Sequence, residues 1–393
     1  MKNKIDVVTK YFYPVSAGIE TNIIETYAVL AASGWDVTLH TSNTTLDHEI
    51  ILPPRDVIRG IKVKRYEVGF FGFKPNIDYS TTKLICLHNF NVFPHLNILV
   101  KAMIDKIKRQ KNYGIFLTPH GGFTPEWPTF SLVVRLVKRL YHQSIGKYLI
   151  NHIVDGVRAI STWEYNELCD IGIKKSIIIK IENGLDPVAK QDHSRMASTQ
   201  IEHQISTNTP YILSIGRISR IKNYETTINA LALNNTKLNL LIVGPVEDAE
   251  YKNELVVLIK SLKLNDRVKF LGVVNGHDKY KLIYKAAAFV HMARWESFCN
   301  VVYEAMSLGK LCIVADNTAL LSLVDRGRLG VLTPTFNAKS LATILKNLNK
   351  ANIPTYSSCL SALKKKSFPI WSETAKNMNN IYQKIIGTYA KIT

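Results

Sequence analysis

Short apolar runs alternate with amphipathic stretches along almost the whole chain, and this alternation limits the fold more than any other feature. The runs read as buried strands: Ile5 to Thr9, Trp35 to Thr41, Leu84 to His88, Gly114 to Pro119, Gly156 to Ser161 and Ile177 to Ile181. Tyr211 to Ile215, Leu238 to Val243, Val268 to Leu271, Ala287 to His291 and Leu311 to Ala315 repeat the pattern further on. Helical periods lie between them, as in Ile23, Ile24, Tyr27, Leu30 and Ala31 before a stop at Gly34. Strands apolar on both faces and joined through helices form parallel sheets covered on both sides. At 393 residues the chain is too long for one core. The expected fold class is therefore α/β, with two Rossmann-like, doubly wound domains facing one another across a cleft. The first is expected over 1–189 and the second over 210–370, with a polar, Ser/Thr/Gln-rich linker over 190–209. A long helix is expected from Phe130 to Ile150 and another from Trp371 to Tyr389.

Composition removes several function classes. No apolar run approaches the ~20 residues that span a bilayer. The N-terminus, Met1-Lys-Asn-Lys-Ile-Asp-Val-Val, lacks the apolar core and cleavage site of a signal peptide. Cys86, Cys169, Cys299, Cys312 and Cys359 are scattered without metal-ligand spacing, which fits reduced thiols in a cytoplasmic protein. The net charge of +19 spreads over both halves, with local concentrations at Lys101 to Lys111, Arg135 to Lys147 and Lys364 to Lys366. Nucleic acid is the weakest of the partners such charge suggests, since no zinc-finger, RRM or KH signature is present. An anionic membrane surface and anionic substrates remain, beside the bland reading of solvated lysines.

The chemistry concentrates in Trp295 to Gly309, which reads as strand, short loop and helix start. Seven residues separate Glu296 on the loop from Glu304 in the first turns of the helix. A helix N-terminus at the end of a parallel strand offers free N–H groups and the positive end of a dipole, which suits phosphate. Two acceptor-only carboxylates beside it suit sugar hydroxyls. Upstream, Gly216-Arg217 and Lys222 lie where another strand meets a helix, and suit a diphosphate. Backbone N–H groups of Phe298, Cys299, Asn300 and Val301 would extend that clamp. Gly18, between the first strand and helix, is weak evidence alone, because an ordinary turn explains it. His120 follows a strand and precedes two glycines.

Together these motifs resemble the retaining glycosyltransferases of family 4, with the GT-B fold. The resemblance covers nearly the whole chain. Glu296 to Met306 looks like the family's Glu-x7-Glu motif, and Gly216-Arg217 with Lys222 like its Gly-Arg-x4-Lys motif. Pro14 to Glu20 resembles the N-terminal glycine loop, and Thr118 to Gly121 the segment with the active-site histidine. Ala159-Ile-Ser161 with Asn183-Gly184-Leu185-Asp186 matches the end of the N-terminal domain, and Trp371 the start of a last helix that crosses back to it. The N-terminal loop departs from the pattern with Ala17-Gly18 in place of Gly-Gly, and Asn317 to Ser322 replaces a glycine-rich loop.

The resemblance implies transfer of a sugar from a nucleotide-diphosphate sugar to a glycan or lipid-linked glycan, in cell-surface polysaccharide or lipopolysaccharide synthesis. It implies that Glu304 holds the ribose, that Glu296 holds the donor sugar and that His120 lies near the anomeric carbon. His120 and Glu296 would then be the catalytic residues. Gly18, Arg217, Lys222 and residues 298–301 would bind the donor, and His88 and Phe123 to Trp127 the acceptor. No Asp-x-Asp metal signature is present, so no metal or cofactor is expected. The basic helices at 96–109 and 130–150 would dock on anionic lipid at the inner membrane face. Two competing readings share the donor site: a nucleotide-sugar epimerase of GT-B fold, and a non-catalytic sugar-nucleotide or nucleic-acid binding protein.

Overall fold

The computed structural model describes residues 3–15, 17–45, 50–69, 72–125, 130–193, 209–233, 236–348 and 354–390. The chain divides into two compact units, Met1–Gly184 with Pro369–Thr393, and Leu185–Phe368. The linker expected over 190–209 falls largely outside the described residues.

The first unit is built on strands β1 (Lys4–Val8), β2 (Asp36–Ser42), β3 (Arg55–Ile58), β4 (Ile61–Tyr66), β5 (Leu84–His88), β6 (Gly114–Thr118), β7 (Gly156–Ala159) and β8 (Ile178–Lys180). They form one sheet in the order β3-β4-β2-β1-β5-β6-β7-β8. Only the β3–β4 edge pair is antiparallel among these. The helices are α1 (Gly18–Ala32), α2 (His95–Ile107), α3 (Leu132–Gln143), α4 (Ile145–Ile153) and α5 (Thr162–Asp170). Successive residues of β5 feed opposite faces, as strand geometry requires. Ile85 and Leu87 join a core with Ile98, Leu99 and Ile150, whereas Leu84 and Cys86 join one with Ile23, Tyr27 and Phe116.

The helix expected from Phe130 to Ile150 is two. Ser144, at φ −120° and ψ −102°, ends α3 and starts α4. The apolar period runs through the break, so only the turn of the chain toward a different face separates them.

The second unit carries β9 (Tyr211–Ile215), β10 (Asn239–Val243), β11 (Val268–Phe270), β12 (Ala288–His291), β13 (Cys312–Ala315) and β14 (Val331–Thr333). Their order is β11-β10-β9-β12-β13-β14, and every pairing is parallel. The helices are α6 (Tyr224–Ala232), α7 (Ala249–Ser261), α8 (Gly276–Lys285), α9 (Asn300–Ser307), α10 (Thr318–Leu323), α11 (Ala338–Lys346) and α12 (Pro354–Lys365). The strand order reverses between β9 and β12, and ligands of such sheets bind beyond the strand ends at that point.

The last helix, α13 (Trp371–Ala390), belongs to the first unit. Met378, Tyr382 and Ile385 enter the core that holds Tyr27 and Phe116. Its start passes so close to Gly184 that a Cβ there would lie 2.5 Å from the Trp371 backbone. A glycine before the unit boundary is thus what lets the returning chain seat itself.

Candidate active site

In the second unit the sequence motifs converge at the switch point. The loop after β9 runs Gly216 to Asn223, and the loop after β12 runs Met292 to Cys299. Three backbone devices hold these loops. Gly244, at φ +147°, brings the end of β10 against Gly216, where a Cβ would meet the Gly216 carbonyl oxygen at 2.1 Å. Asn223 sits in the left-handed region and donates from Nδ2 to the Met292 carbonyl at 3.0 Å. The Arg294 N–H donates to the Ile221 carbonyl at 2.8 Å.

Glu296 is the centre of the arrangement. Its Oε1 accepts from Lys222 Nζ at 2.5 Å and from His291 Nε2 at 2.9 Å. Burial works against its ionisation, yet the neighbouring Lys222 and His291 hold its carboxyl well below the usual range. Burial in turn lowers the His291 pKa, against the pull of Glu296. Among the described residues His291, Glu296 and Cys299 also form the one grouping whose donor atoms lie within 4.8 Å of one another. Its carboxylate oxygen is already shared between Lys222 and the imidazole.

Glu304 lies one turn into α9. Its Oε1 accepts from Lys279 Nζ at 2.8 Å and from Tyr280 Oη at 3.2 Å. Its Oε2 is buried and has no hydrogen-bond partner among the described residues. A buried carboxylate oxygen with spare acceptor capacity is what a ribose hydroxyl would satisfy. Cys299, the N-cap of α9, has φ 74° and supplies no side-chain cap. Asn300 and Val301 follow half-buried, so their N–H groups begin the helix at the motif's centre. Phe298 is buried against Tyr303, so its ring is not offered to a ligand. Arg217 pairs with Glu247 and is one-third exposed. A diphosphate would have to share it with that acid.

In the first unit, Gly18 is the exposed first residue of α1, whose N-cap Ala17 makes no side-chain cap. His120 follows β6 at φ 53°, and Gly121 at φ 77°. The imidazole is 5 % exposed. Its Nε2 lies 2.9 Å from His88 Nδ1, and His88 Nε2 lies 2.8 Å from Tyr27 Oη. Burial, reinforced by the Arg158 charge, pushes the His120 pKa down to about 3. His88 is lowered too, by burial and then by His120. His88 and Phe123 are not free to line an acceptor site. Both ring nitrogens of His88 are engaged, and Phe123 is stacked on Phe90 in the core at 4.4 Å between centroids. Trp127, the third acceptor candidate, lies outside the described residues.

Glu164 was missed. It is 2 % exposed and accepts from the Gly121 and Ile160 backbone N–H groups, the latter at 2.8 Å. Burial raises its pKa to about 7, against those two N–H groups and Arg158. The spacing Ser161-x-x-Glu164 is a capping-box signature, and Ser161 Oγ does accept from the Glu164 N–H at 3.0 Å. The carboxylate instead reaches the residue after His120, which no local pattern signals. Arg158, fully buried, donates to the Ile181 and Glu182 carbonyls and to Asn183 Oδ1 at 2.9, 3.1 and 3.2 Å.

Residues 197–361 match the family model described as "Glycosyl transferases group 1". The chain is 31 % identical over 145 residues to the N-acetylgalactosamine-N,N'-diacetylbacillosaminyl-diphospho-undecaprenol 4-alpha-N-acetylgalactosaminyltransferase of Campylobacter jejuni, spanning 37 % of this chain and 38 % of that protein's length. It is 26 % identical over 348 residues to the alpha-monoglucosyldiacylglycerol synthase of Streptococcus pneumoniae, spanning 84 % of this chain and 75 % of that protein. Anabaena HepE, crystallised with UDP and glucose, superposes with a TM-score of 0.72 at 20 % identity, covering 97 % of this chain and 100 % of that one. The likeness to HepE shows the fold, two parallel-sheet α/β domains of the GT-B type. Over residues 197–361 the chain is thus similar to the glycosyl transferases of group 1.

Proposed function

We propose that this protein is a retaining glycosyltransferase of family 4 that moves a hexose from a nucleotide-diphosphate sugar to a glycan or lipid-linked glycan. The observation that carries this reading is Glu296, ionised and held by Lys222 and His291 beside the start of α9, at the switch point of the second sheet. Breaking the glycosidic bond leaves negative charge on the departing diphosphate. Lys222, Arg217 and the N–H groups at the start of α9 supply the opposing charge and dipole, so the reaction is read as metal-independent. Glu304 takes the ribose through its unpartnered oxygen, and Glu296 a hydroxyl of the transferred sugar. His120 contributes a neutral imidazole. Attack from the face of the leaving phosphate, with retention of configuration, is the mechanism this set favours. The relatives whose names carry diphospho-undecaprenol and diacylglycerol support a lipid-linked acceptor, and a role in cell-surface polysaccharide or lipopolysaccharide synthesis is part of the same reading.

No helix among the described residues is long and apolar enough to cross a membrane. Membrane contact, in this reading, is peripheral, at the inner face, and falls on α3. Leu132, Val133, Leu136, Val137 and Leu140 form a stripe on that helix, each more than half exposed. Lys138 and Arg139 flank it, and the whole chain carries +19. An apolar stripe with basic flanks fits an anionic lipid surface. On α2, Lys101 is already paired with Asp105, which leaves less charge for lipid.

The test is a thermal-shift panel of nucleotide sugars, since a ligand of the native state raises its melting temperature. Any donor that stabilises is then assayed for transfer to glycan acceptors in excess EDTA, with the anomeric configuration of the product read by NMR. No stabilisation by any nucleotide sugar, or epimerised donor without transfer, overturns the reading. An inverted product overturns retention alone.

A further inference from the structure

We propose that Tyr27 and His88 are positioning residues that fix His120 as the neutral imidazole with its proton on Nδ1. The three side chains form an unbroken buried chain: Tyr27 Oη to His88 Nε2 at 2.8 Å, then His88 Nδ1 to His120 Nε2 at 2.9 Å. Each of the three is 5 % exposed or less, so water does not compete along it.

A chain of this kind has two proton arrangements. Either every proton points toward His120, or every one points toward Tyr27. Chemistry chooses between them. A phenol O–H is a stronger acid than the N–H of a neutral imidazole, and an imidazole nitrogen is a far better base than a phenol oxygen. Tyr27 therefore donates to His88 Nε2. His88 then carries its own proton on Nδ1 and donates it to His120 Nε2. That bond takes the lone pair of His120 Nε2, so the His120 proton resides on Nδ1. Tyr382 completes the order: its Oη lies 3.1 Å from that of Tyr27 and donates to it, once the Tyr27 proton is turned to His88. The backbone is fixed independently. His120 is held at φ 53°, and the next N–H is bound by Glu164.

The outcome is an uncharged hydrogen-bond donor at Nδ1, the one ring nitrogen of His120 that His88 does not take. It suits an acceptor oxygen of a bound ligand. In this respect the inference deepens the glycosyl-transfer reading, where the partner would be a sugar hydroxyl oxygen.

The experiment is a long-range proton–nitrogen correlation on the full-length protein labelled with nitrogen-15 in histidine, at neutral pH without ligand. The wild-type spectrum should show His120 Nδ1 at a protonated, pyrrole-like shift and Nε2 at a pyridine-like one. Tyr27→Phe removes the donor that orders the chain, so the two His120 shifts should move toward each other. Tyr382→Phe only removes a donor to the phenol oxygen and should leave the tautomer as in wild type. A wild-type His120 protonated on Nε2 overturns the proposal, and so do His120 shifts unchanged by Tyr27→Phe. The wild-type spectrum decides even if the variant does not fold. For turnover, Tyr27→Phe should lower kcat about tenfold with donor KM little changed. The nitrogen shifts do not depend on any assigned reaction. If they appear as expected while no transfer is found, the tautomer stands and the glycosyl-transfer reading falls.

Discussion

Lys222 and His291 share one oxygen of Glu296, so removing the lysine does more than delete a charge. It leaves a buried carboxylate with an imidazole that burial keeps neutral. Lys222→Ala should therefore lower kcat/KM by about a hundredfold, the scale seen when one preorganised charge-stabilising donor is lost. It should also abolish the thermal shift given by a nucleotide sugar. Glu304→Ala should weaken nucleotide binding by about tenfold, measured by calorimetry with the free nucleoside diphosphate, because it deletes the unpartnered oxygen. The buried histidines make a separate, pH-dependent prediction. His120 falls to about 3, and His95 and His142 to about 4, all chiefly through burial, and His88 is lowered as well. Below the ordinary value near 6.5 the unfolded chain takes up protons that the native chain refuses. Each histidine then subtracts about 1.4 kcal/mol per pH unit. Glu164 has the opposite sign: its pKa is raised from 4.5 to about 7, so its contribution is fully present below 4.5 and is lost as pH rises through 7. Melting temperature should fall from pH 6.5 to 4.5, and fall more steeply in Glu164→Gln. A flat acid limb in the wild type would refute the assignment. At this scale the sequence singled out Glu296, Glu304, Lys222, Arg217 and His120 as candidates, because each sits in a local motif. It concealed Glu164, Arg158 and the Tyr27–His88 pair, whose partners are distant in the chain and meet only through the fold.

Single elements respond to substitution in ways the sheet order explains. Gly184→Ala would set a Cβ 2.5 Å from the Trp371 backbone, which has no flexible end to move aside. The expected cost is about 1–3 kcal/mol, read as a lower melting temperature and faster proteolysis near residue 369. On α3, replacing Leu136 and Val137 by Asp should remove binding to vesicles rich in anionic lipid while the far-ultraviolet circular dichroism holds, since both side chains are exposed and pack no core. Co-sedimentation measures this. Vesicle binding indifferent to anionic lipid would defeat the membrane assignment, and self-association of wild type abolished by the same pair would make α3 a contact between copies. Most strand positions were readable because apolar runs bounded by turns have few alternatives, whereas β3, β4 and β14 stand outside those runs. The division at Ser144 was not, because an apolar stripe facing outward has the same period as one facing a core.

At the scale of the molecule, the alternation of strands and helices was enough to specify two parallel sheets. The second repeats the strand order that places a ligand site between β9 and β12. The polar segment at 190–209 carries no such pattern, and most of it lies outside the described residues. A chain ending at residue 368 would keep every candidate donor residue. It would strip Met378, Tyr382 and Ile385 from the first unit's core. Such a truncation should bind apolar dyes and lose turnover, while an isolated fragment 185–368 still binds the nucleotide. Loss of nucleotide binding in a folded fragment would show that the second unit is not the donor module.

The return of α13 also sets an order of events during synthesis. The ribosome emits the first unit's strands first, yet three of that unit's core side chains, Met378, Tyr382 and Ile385, arrive only after the whole of the second unit. The second unit, contiguous from 185 to 368, has all of its residues before then. The unit translated first is thus completed after the second, and until α13 emerges its sheet carries an open apolar face suited to a chaperone.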